Sequence, residues 1–210
     1  ADLLPGTYTV AASQLDYTST PVSRPARVIA GTNTSGLDFT LTSIYGNISG
    51  KITVPGWDTA YGTTILAAGA GTKSITLNLL NTIGGKYTIS DLLIGSYTVT
   101  ASKEDYISTP TSRTVSATSG NTTPNVDFTL TYKYGDISGY VTVEDKLPSG
   151  AVITVRGAAT TTYTMDTSGW YTIKKLPSGT YTITLSKTGY VPVPASQTVK
   201  VEMNKETKGI

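Results

Sequence analysis

Cysteine and histidine are both absent from this 210-residue chain. Their absence removes Ser-His-Asp and Cys-His nucleophiles, zinc sites built on thiolate or imidazole, disulfides, and any side chain that titrates near neutrality at its ordinary pKa. Charge is sparse as well: 14 % of residues are charged, 16 basic against 14 acidic for a net +2, and no basic run exceeds the pair Lys174 and Lys175. A phosphate-tracking surface needs more than that, so nucleic-acid binding is not expected. Apolar runs stay well short of the roughly 18 residues of a membrane helix, which argues against membrane insertion. There is no EF-hand spacing and no clustered acidic loop, so neither calcium, another obligatory metal nor a cofactor is expected. What chemistry remains rests on carboxylates, Lys, Tyr and hydroxyls, and no convergent set of carboxylates is visible. The expectation is a protein that is not an enzyme.

Threonine is the commonest residue, with 21 Gly and 14 Tyr but only 2 Phe and 2 Trp, a balance that favours strands over helices. An internal repeat dominates the chain. The segment Asp2-Leu3-Leu4-Pro5-Gly6-Thr7-Tyr8-Thr9-Val10 returns as Asp91-Leu92-Leu93-Ile94-Gly95-Ser96-Tyr97-Thr98-Val99, an offset of 89 residues. At the same offset Asp16-Tyr17 returns as Asp105-Tyr106, Asp38-Phe39-Thr40-Leu41-Thr42 as Asp127-Phe128-Thr129-Leu130-Thr131, and Tyr45-Gly46-Asn47-Ile48-Ser49-Gly50 as Tyr134-Gly135-Asp136-Ile137-Ser138-Gly139. A more diverged copy carries Leu176-Pro177-Ser178-Gly179-Thr180-Tyr181-Thr182-Ile183 and Gly189-Tyr190, now 84 residues on. The chain therefore divides into a partial repeat at 1–43 holding later strands only, a complete repeat at 44–132, and a diverged repeat at 133–210 whose last strand is not evident. A unit of this length is a small sandwich, too large for one turn of a solenoid.

Within the repeats the polarity alternates with period two. Tyr97, Val99 and Ala101 face one way and Thr98, Thr100 and Ser102 the other, as do Tyr181, Ile183 and Leu185 against Thr182, Thr184 and Ser186. Such alternation marks half-buried antiparallel strands with a Thr-covered outer face. Further strands are expected over 48–54, 63–68, 74–80, 86–89, 113–118 and 126–131, with counterparts at 137–143, 151–155, 161–165 and 170–173. Asp166-Thr167-Ser168-Gly169 reads as a hairpin turn before Trp170. The fold class expected is all-β, a tandem array of antiparallel, immunoglobulin-like β-sandwich repeats. Tyr97, Val99, Phe128 and Leu130 should belong to one core, and Tyr171, Ile173, Tyr181, Ile183 and Leu185 to another. In the partial repeat Tyr8, Val10, Phe39 and Leu41 are the matching inward set.

The run Thr164-Met165-Asp166-Thr167-Ser168-Gly169-Trp170-Tyr171-Thr172-Ile173, followed by 176–183 and Gly189-Tyr190, resembles the carboxypeptidase regulatory-like domain family, whose members look like transthyretin-type or Cna-B-type sandwiches. Residues 135–141 and 127–130 resemble that family's first and last strands. The resemblance implies the sandwich fold and a non-catalytic accessory, a stalk module of a surface protein, or a carbohydrate-binding relative; fold alone does not choose among them. Some Cna-B relatives carry a Lys-to-Asn isopeptide bond, and Lys51 lies on the corresponding strand. Ile52 and Val54 are the inward set there, however, so Lys51 should point to solvent.

Trp57, Tyr61 and Trp170 are the candidates for stacking on carbohydrate, weighed against a plain covering role for an aromatic beside a loop. Asn33, Asn47 and Asn121 open Asn-X-Ser/Thr tripeptides and are candidate glycosylation sites in a chain whose dense Thr makes such tripeptides frequent by chance. Tyr17, Tyr106 and Tyr190 mark one recurring turn, with a Pro soon after each that protects a sheet edge.

The function expected is that of a structural protein, extracellular or at the cell surface, which builds a filament or stalk from its repeats, including by strand complementation between subunits. Its partners would be other copies of itself joined head to tail, or further repeats of the same chain. The alternative is a carbohydrate-binding or adhesive accessory module with polysaccharide as its partner.

Overall fold

The structure, a computed structural model, describes residues 3–56, 59–78 and 83–210. Its first strands are β1 (Gly6–Val10), β2 (Tyr17–Thr20), β3 (Arg24–Val28), β4 (Thr40–Ser43), β5 (Tyr45–Thr53), β6 (Thr64–Gly69) and β7 (Thr72–Thr76). There follow β8 (Lys86–Leu93), β9 (Gly95–Ser102), β10 (Tyr106–Thr109), β11 (Arg113–Ala117), β12 (Thr122–Thr123) and β13 (Phe128–Tyr132). The last seven are β14 (Tyr134–Tyr140), β15 (Val152–Arg156), β16 (Thr160–Thr164), β17 (Trp170–Pro177), β18 (Gly179–Ser186), β19 (Gln197–Val201) and β20 (Glu206–Thr207). Among the described residues the one helical element is a 3-10 turn at Ile83–Gly85, so the chain is all-β as its alternation implies.

Two compact units emerge. One comprises Ala1–Thr53, Thr59–Ala101 and Pro110–Phe128, the other Val54–Asp58, Ser102–Thr109 and Thr129–Ile210. In the first, β5 is flanked by β8 antiparallel and β12 parallel, while β11, β9, β6 and β7 form a four-stranded sheet in that order; β1 pairs with β3, and β2 with β4. In the second, β14 is flanked by β17 antiparallel and β20 parallel, while β16, β15, β18 and β19 form a four-stranded sheet; β10 pairs with β13.

The sequence repeat is a repeat of hydrogen-bond register. The β5–β8 and β14–β17 pairs each shift register after the Gly of Tyr-Gly-(Asn/Asp)-Ile, between Gly46 and Ile48 and between Gly135 and Ile137. Extra residues of this kind bend a strand and raise its twist. Glycine recurs two residues beyond each shifted Ile because backbone crowds it. A Cβ on Gly50 would collide with the Val126 carbonyl, and one on Gly139 with that of Ile210. Each repeat also hides a tyrosine without stranding its hydroxyl: Tyr97 Oη donates to Leu93 O at 3.0 Å and Tyr181 Oη to Pro177 O at 2.9 Å, four residues back in both cases. A phenol so satisfied can be buried at little cost.

The core of the second unit gathers Ile137, Ala151, Ile153, Val155, Tyr171, Ile173, Leu176, Tyr181, Ile183 and Val201 from both of its larger sheets. Leu185, expected inside, is only half-buried. In the first unit Ile48, Ile65, Leu77, Ile89, Tyr97, Val99 and Phe128 are buried, and so is Leu130 in the second. By contrast the matching positions of the N-terminal segment, Tyr8, Val10, Phe39 and Leu41, are half-buried.

Candidate functional site

Strand β14 ends at Tyr140, and the chain continues through Val141 to Glu144 as one wall of a groove in the second unit. The opposite wall is the irregular segment 190–194. Ile153, Ile183 and Leu185 form the floor, and Ile210 and Gln197 stand at one end. That end encloses about 150 Å³ and the adjoining stretch, which shares Thr142, Leu185 and Val193, about 230 Å³. Val193 on the rim is 94 % exposed. This groove is why Leu185 departs from the expected core.

An aromatic platform lies on the same strand. Trp170 begins β17 opposite Tyr140 in the β14–β17 register, and the rings stand 4.9 Å apart at 59°. Both face solvent, at 66 % and 51 % exposure. The turn that presents Trp170 is built by Asp166, whose Oδ1 accepts the Ser168 N–H at 2.7 Å and the Ser168 hydroxyl at 2.6 Å. Those two bonds, the hydroxyl first, hold the Asp166 carboxyl below the usual range. Tyr61, in the first unit, is 51 % exposed and its N–H donates to Thr59 Oγ1. Trp57 lies outside the described residues.

The three Asn-X-Ser/Thr asparagines differ in their surroundings. Asn33 stands in an exposed stretch between β3 and β4. Asn121 is exposed after a turn, its amide donating to Ser119 O at 2.8 Å. Asn47 is half-buried on β5; its Nδ2 donates to Thr122 Oγ1 and its Oδ1 accepts the Asp91 N–H, so a glycan on Nδ2 would compete with the bond to Thr122. Lys51 is exposed, and its backbone N–H donates to Asp127 Oδ1 at 2.7 Å.

A charged cluster in the second unit went unread in the sequence. Asp105, with φ of 66° at its counterpart Asp16 and 64° at its own position, sits in the turn before β10. Its Oδ2 accepts Lys175 Nζ at 2.8 Å and its Oδ1 pairs with Lys133 Nζ at 3.2 Å. The hydrogen bond from Lys175, then that from Lys133, holds the Asp105 carboxyl low, and Asp105 in return raises both ammonium groups. Tyr106, Tyr132 and Tyr134 pack alongside at steep angles, 54° and 72° between successive rings, with centroids 5.4 and 5.6 Å apart. The signal was available: at the preceding repeat's positions the partners are Ile44 and Asp91, so both cations arise together. Exposed pairs of this kind contribute little to stability. Among the described residues no three Asp or Glu side chains gather as a metal site, and no helix is long and apolar enough to cross a membrane.

Residues 136–208 match the carboxypeptidase regulatory-like domain family. Comparison with curated proteins finds no match. Among solved structures, the chain is similar to the Bacillus anthracis TIE protein, at 16 % identity and a TM-score of 0.39, over 100 % of this chain and 43 % of that one. It thus spans less than half the length of that protein. A streptococcal ancillary pilin aligns at 15 % identity and TM-score 0.40 over 98 % of this chain and 75 % of that one. A putative carbohydrate binding protein from Bacteroides uniformis aligns at 11 % identity and TM-score 0.29, over 75 % and 97 %. At such identities the likeness concerns fold alone.

Proposed function

We propose that this chain is a non-catalytic structural module of the cell exterior, in which sandwich repeats of the kind at 44–132 and 133–210 are strung into a stalk or filament through contacts with further repeats or other copies of the chain. The observation that carries the reading is the uneven burial of equivalent residues. Tyr97, Val99, Phe128 and Leu130 are buried, whereas Tyr8, Val10, Phe39 and Leu41, 89 residues earlier, are half-buried. The same segment exposes Leu3, Leu4, Leu15 and Val22. Apolar residues half-buried on two small strand pairs in one copy of a repeat, and buried in another, leave surface for a neighbouring repeat or copy to cover.

The test is electron microscopy of the native material together with the mass of the intact polypeptide. Filaments or long rods are the expected images. Compact particles of one 22.0 kDa chain, with residues 3–43 protected from proteolysis, would overturn the reading.

A second reading, an adhesive module for polysaccharide, has the Trp170–Tyr140 platform in its favour, since two exposed rings on adjacent strands offer a flat apolar face to a sugar ring. Binding to a glycan array that disappears in Trp170→Ala would support it, and binding unchanged in that variant would refute it.

A further inference from the structure

We propose that the edge strand β16 pairs with β16 of a second copy of this chain, antiparallel about a two-fold axis at Thr162, so that the sheets of the two copies become continuous. β16 is the last strand of the sheet ordered β16, β15, β18, β19. The Met165 N–H donates to Ala151 O at 2.8 Å beyond one end of the β15–β16 pair, and the Gly157 N–H donates to Ala159 O at 3.0 Å beyond the other. Bonded and open stations alternate along an antiparallel ladder, so Thr161 and Tyr163 bond to β15, and the backbone groups of Thr160, Thr162 and Thr164 point away from it. These three residues are exposed, and among the described residues no strand pairs with that side. Their N–H and C=O groups form one open row.

Such a row is a template for another strand, and folded chains ordinarily blunt it with lysine, proline, a bulge or an inward-pointing charge. Other edges in this molecule carry these guards. In the repeat at 44–132 the corresponding strand is β7, since the Leu77 N–H donates to Thr63 O as that of Met165 does to Ala151 O. Lys73 of β7 holds the station of Thr161 and reaches Ser90 O at 2.9 Å and the Asp91 carboxylate at 3.8 Å. In the second unit β17 is kinked by Lys175, at a φ of 60°, beside Lys174. β19 carries Lys200, whose carbonyl accepts the Thr207 hydroxyl at 3.1 Å. β16 reads Thr-Thr-Thr-Tyr-Thr, without charge, proline or register shift. β7 is also terminal in its sheet although the repeat at 133–210 follows it, so an open edge at this station belongs to the repeat itself. What differs is the guard.

The occupant is a second copy because the strand complements itself. Run antiparallel about Thr162, Thr160 meets Thr164, Thr161 meets Tyr163, and Thr162 meets its own counterpart. Thr160, Thr162 and Thr164 share the outer face, where facing threonines can hydrogen-bond; Thr64 Oγ1 and Thr76 Oγ1 meet in this way at 3.1 Å across β6 and β7. On the inner face Tyr163 packs against the core, 6.3 Å from the Tyr171 ring, and its half-exposed side gains cover from Thr161 of the other copy. Charge completes the match. Arg156 faces Thr160 at one end of the strand and Asp166 lies two residues beyond Thr164 at the other, both exposed. Antiparallel pairing brings the arginine end of each copy to the aspartate end of the other, whereas parallel pairing sets like beside like. A two-fold contact uses the same surface on both chains and closes on itself, so it joins two chains side by side and lengthens neither. A five-residue ladder is smaller than a standard stable interface, so the association is expected at about 10 μM to 1 mM.

Opposite charges placed at the axis decide the matter, because residue 162 of one copy stands against residue 162 of the other. Thr162→Lys and Thr162→Glu each set like charges face to face on an exposed side chain outside the core, and mixed together they set unlike charges there. In sedimentation equilibrium over about 10 μM to 1 mM, the unsubstituted full chain should associate beyond 22.0 kDa. Each variant alone should weaken that association about fivefold or more, and the equimolar mixture should restore it. Hydrogen exchange supplies a second readout: the amides of Thr160, Thr162 and Thr164 should become protected as concentration rises, while those of Thr161 and Tyr163 are protected throughout. An unsubstituted chain that stays at 22.0 kDa, or association that neither variant weakens, would overturn the pairing. So would a mixture that associates no better than its components, or exchange at Thr162 indifferent to concentration. None of these results touches end-to-end assembly, which is judged by filaments under the microscope.

Discussion

Ile183 and Leu185 lie two residues apart on one face of β18, yet one is in the core and the other floors the groove, so truncating each to Ala separates packing from exposure. Ile183 is 7 % exposed and sits within the cluster around Ile153, Val155 and Tyr181. Its truncation removes buried carbon and leaves a cavity between two sheets that are held by their ladders and cannot collapse onto it. The expected loss is about 3 kcal/mol, within the roughly 2 to 5 kcal/mol range of such changes. Leu185→Ala deletes a similar volume from a side chain already half in water, and with the groove open the expected loss is about half as large. Urea denaturation of the full chain, followed by Trp170 emission in a Trp57→Phe background, reports on the second unit, with the change read from the midpoint at constant slope. Equal losses for the two variants would mean that the groove is closed in solution. A loss under about 1 kcal/mol for Ile183→Ala would falsify the strand register itself.

Gly139→Ala places a methyl group against the Ile210 carbonyl and the Tyr171 hydroxyl, so we expect a loss of at least about 2 kcal/mol in the same assay, whereas a neutral outcome would show that the final turn is free to yield. Burial raises the pKa of Tyr87 and, less strongly, of Tyr171 and Tyr181. Above the ordinary tyrosine pKa the unfolded chain therefore binds fewer protons than the folded one, and stability should be level up to about pH 9, then fall as pH rises past about 10. A melting temperature that holds steady from pH 9 to 11 would contradict this. Trp170→Ala, on a face open to solvent, should change stability by less than about 1 kcal/mol; a larger drop would assign the ring to packing rather than to a surface role.

Much of this architecture could be read from the residues because it is carried by a period of two and a period of 89, and both are properties of the backbone ladder. The strands that the alternation located are those with one apolar face, such as β9 and β18. The strands it passed over include β10, β12 and β20, whose residues are largely polar or exposed, and β19, which is short and buries only Val199 and Val201. Lys51 and Trp170 are exposed, as strict alternation requires. Leu185 satisfied the same alternation and still missed the core, since alternation gives the face of a strand but not what lies opposite it. The Asp105–Lys133–Lys175 cluster escaped notice for a related reason: its members come from a turn, a strand junction and the strand β17, far apart in the chain, and only a comparison of the copies position by position brings them together.

The pentapeptide shared by residues 38–42 and 127–131 also bears on how the chain reaches its native state. β4 and β13 are chemically interchangeable over these five residues, and their partners β2 and β10 hold them in one register, so an unfolded chain has no local information with which to tell the two pairings apart. Mispaired intermediates, compact and native in secondary structure but wired to the wrong repeat, are the expected kinetic traps of such a molecule. Escape requires a ladder to open. Vectorial synthesis lessens the ambiguity, because residues 38–42 emerge and find β2 long before residues 127–131 exist to compete. Refolding from denaturant, where both segments are released together, has no such order and should be slower and more heterogeneous than folding during synthesis.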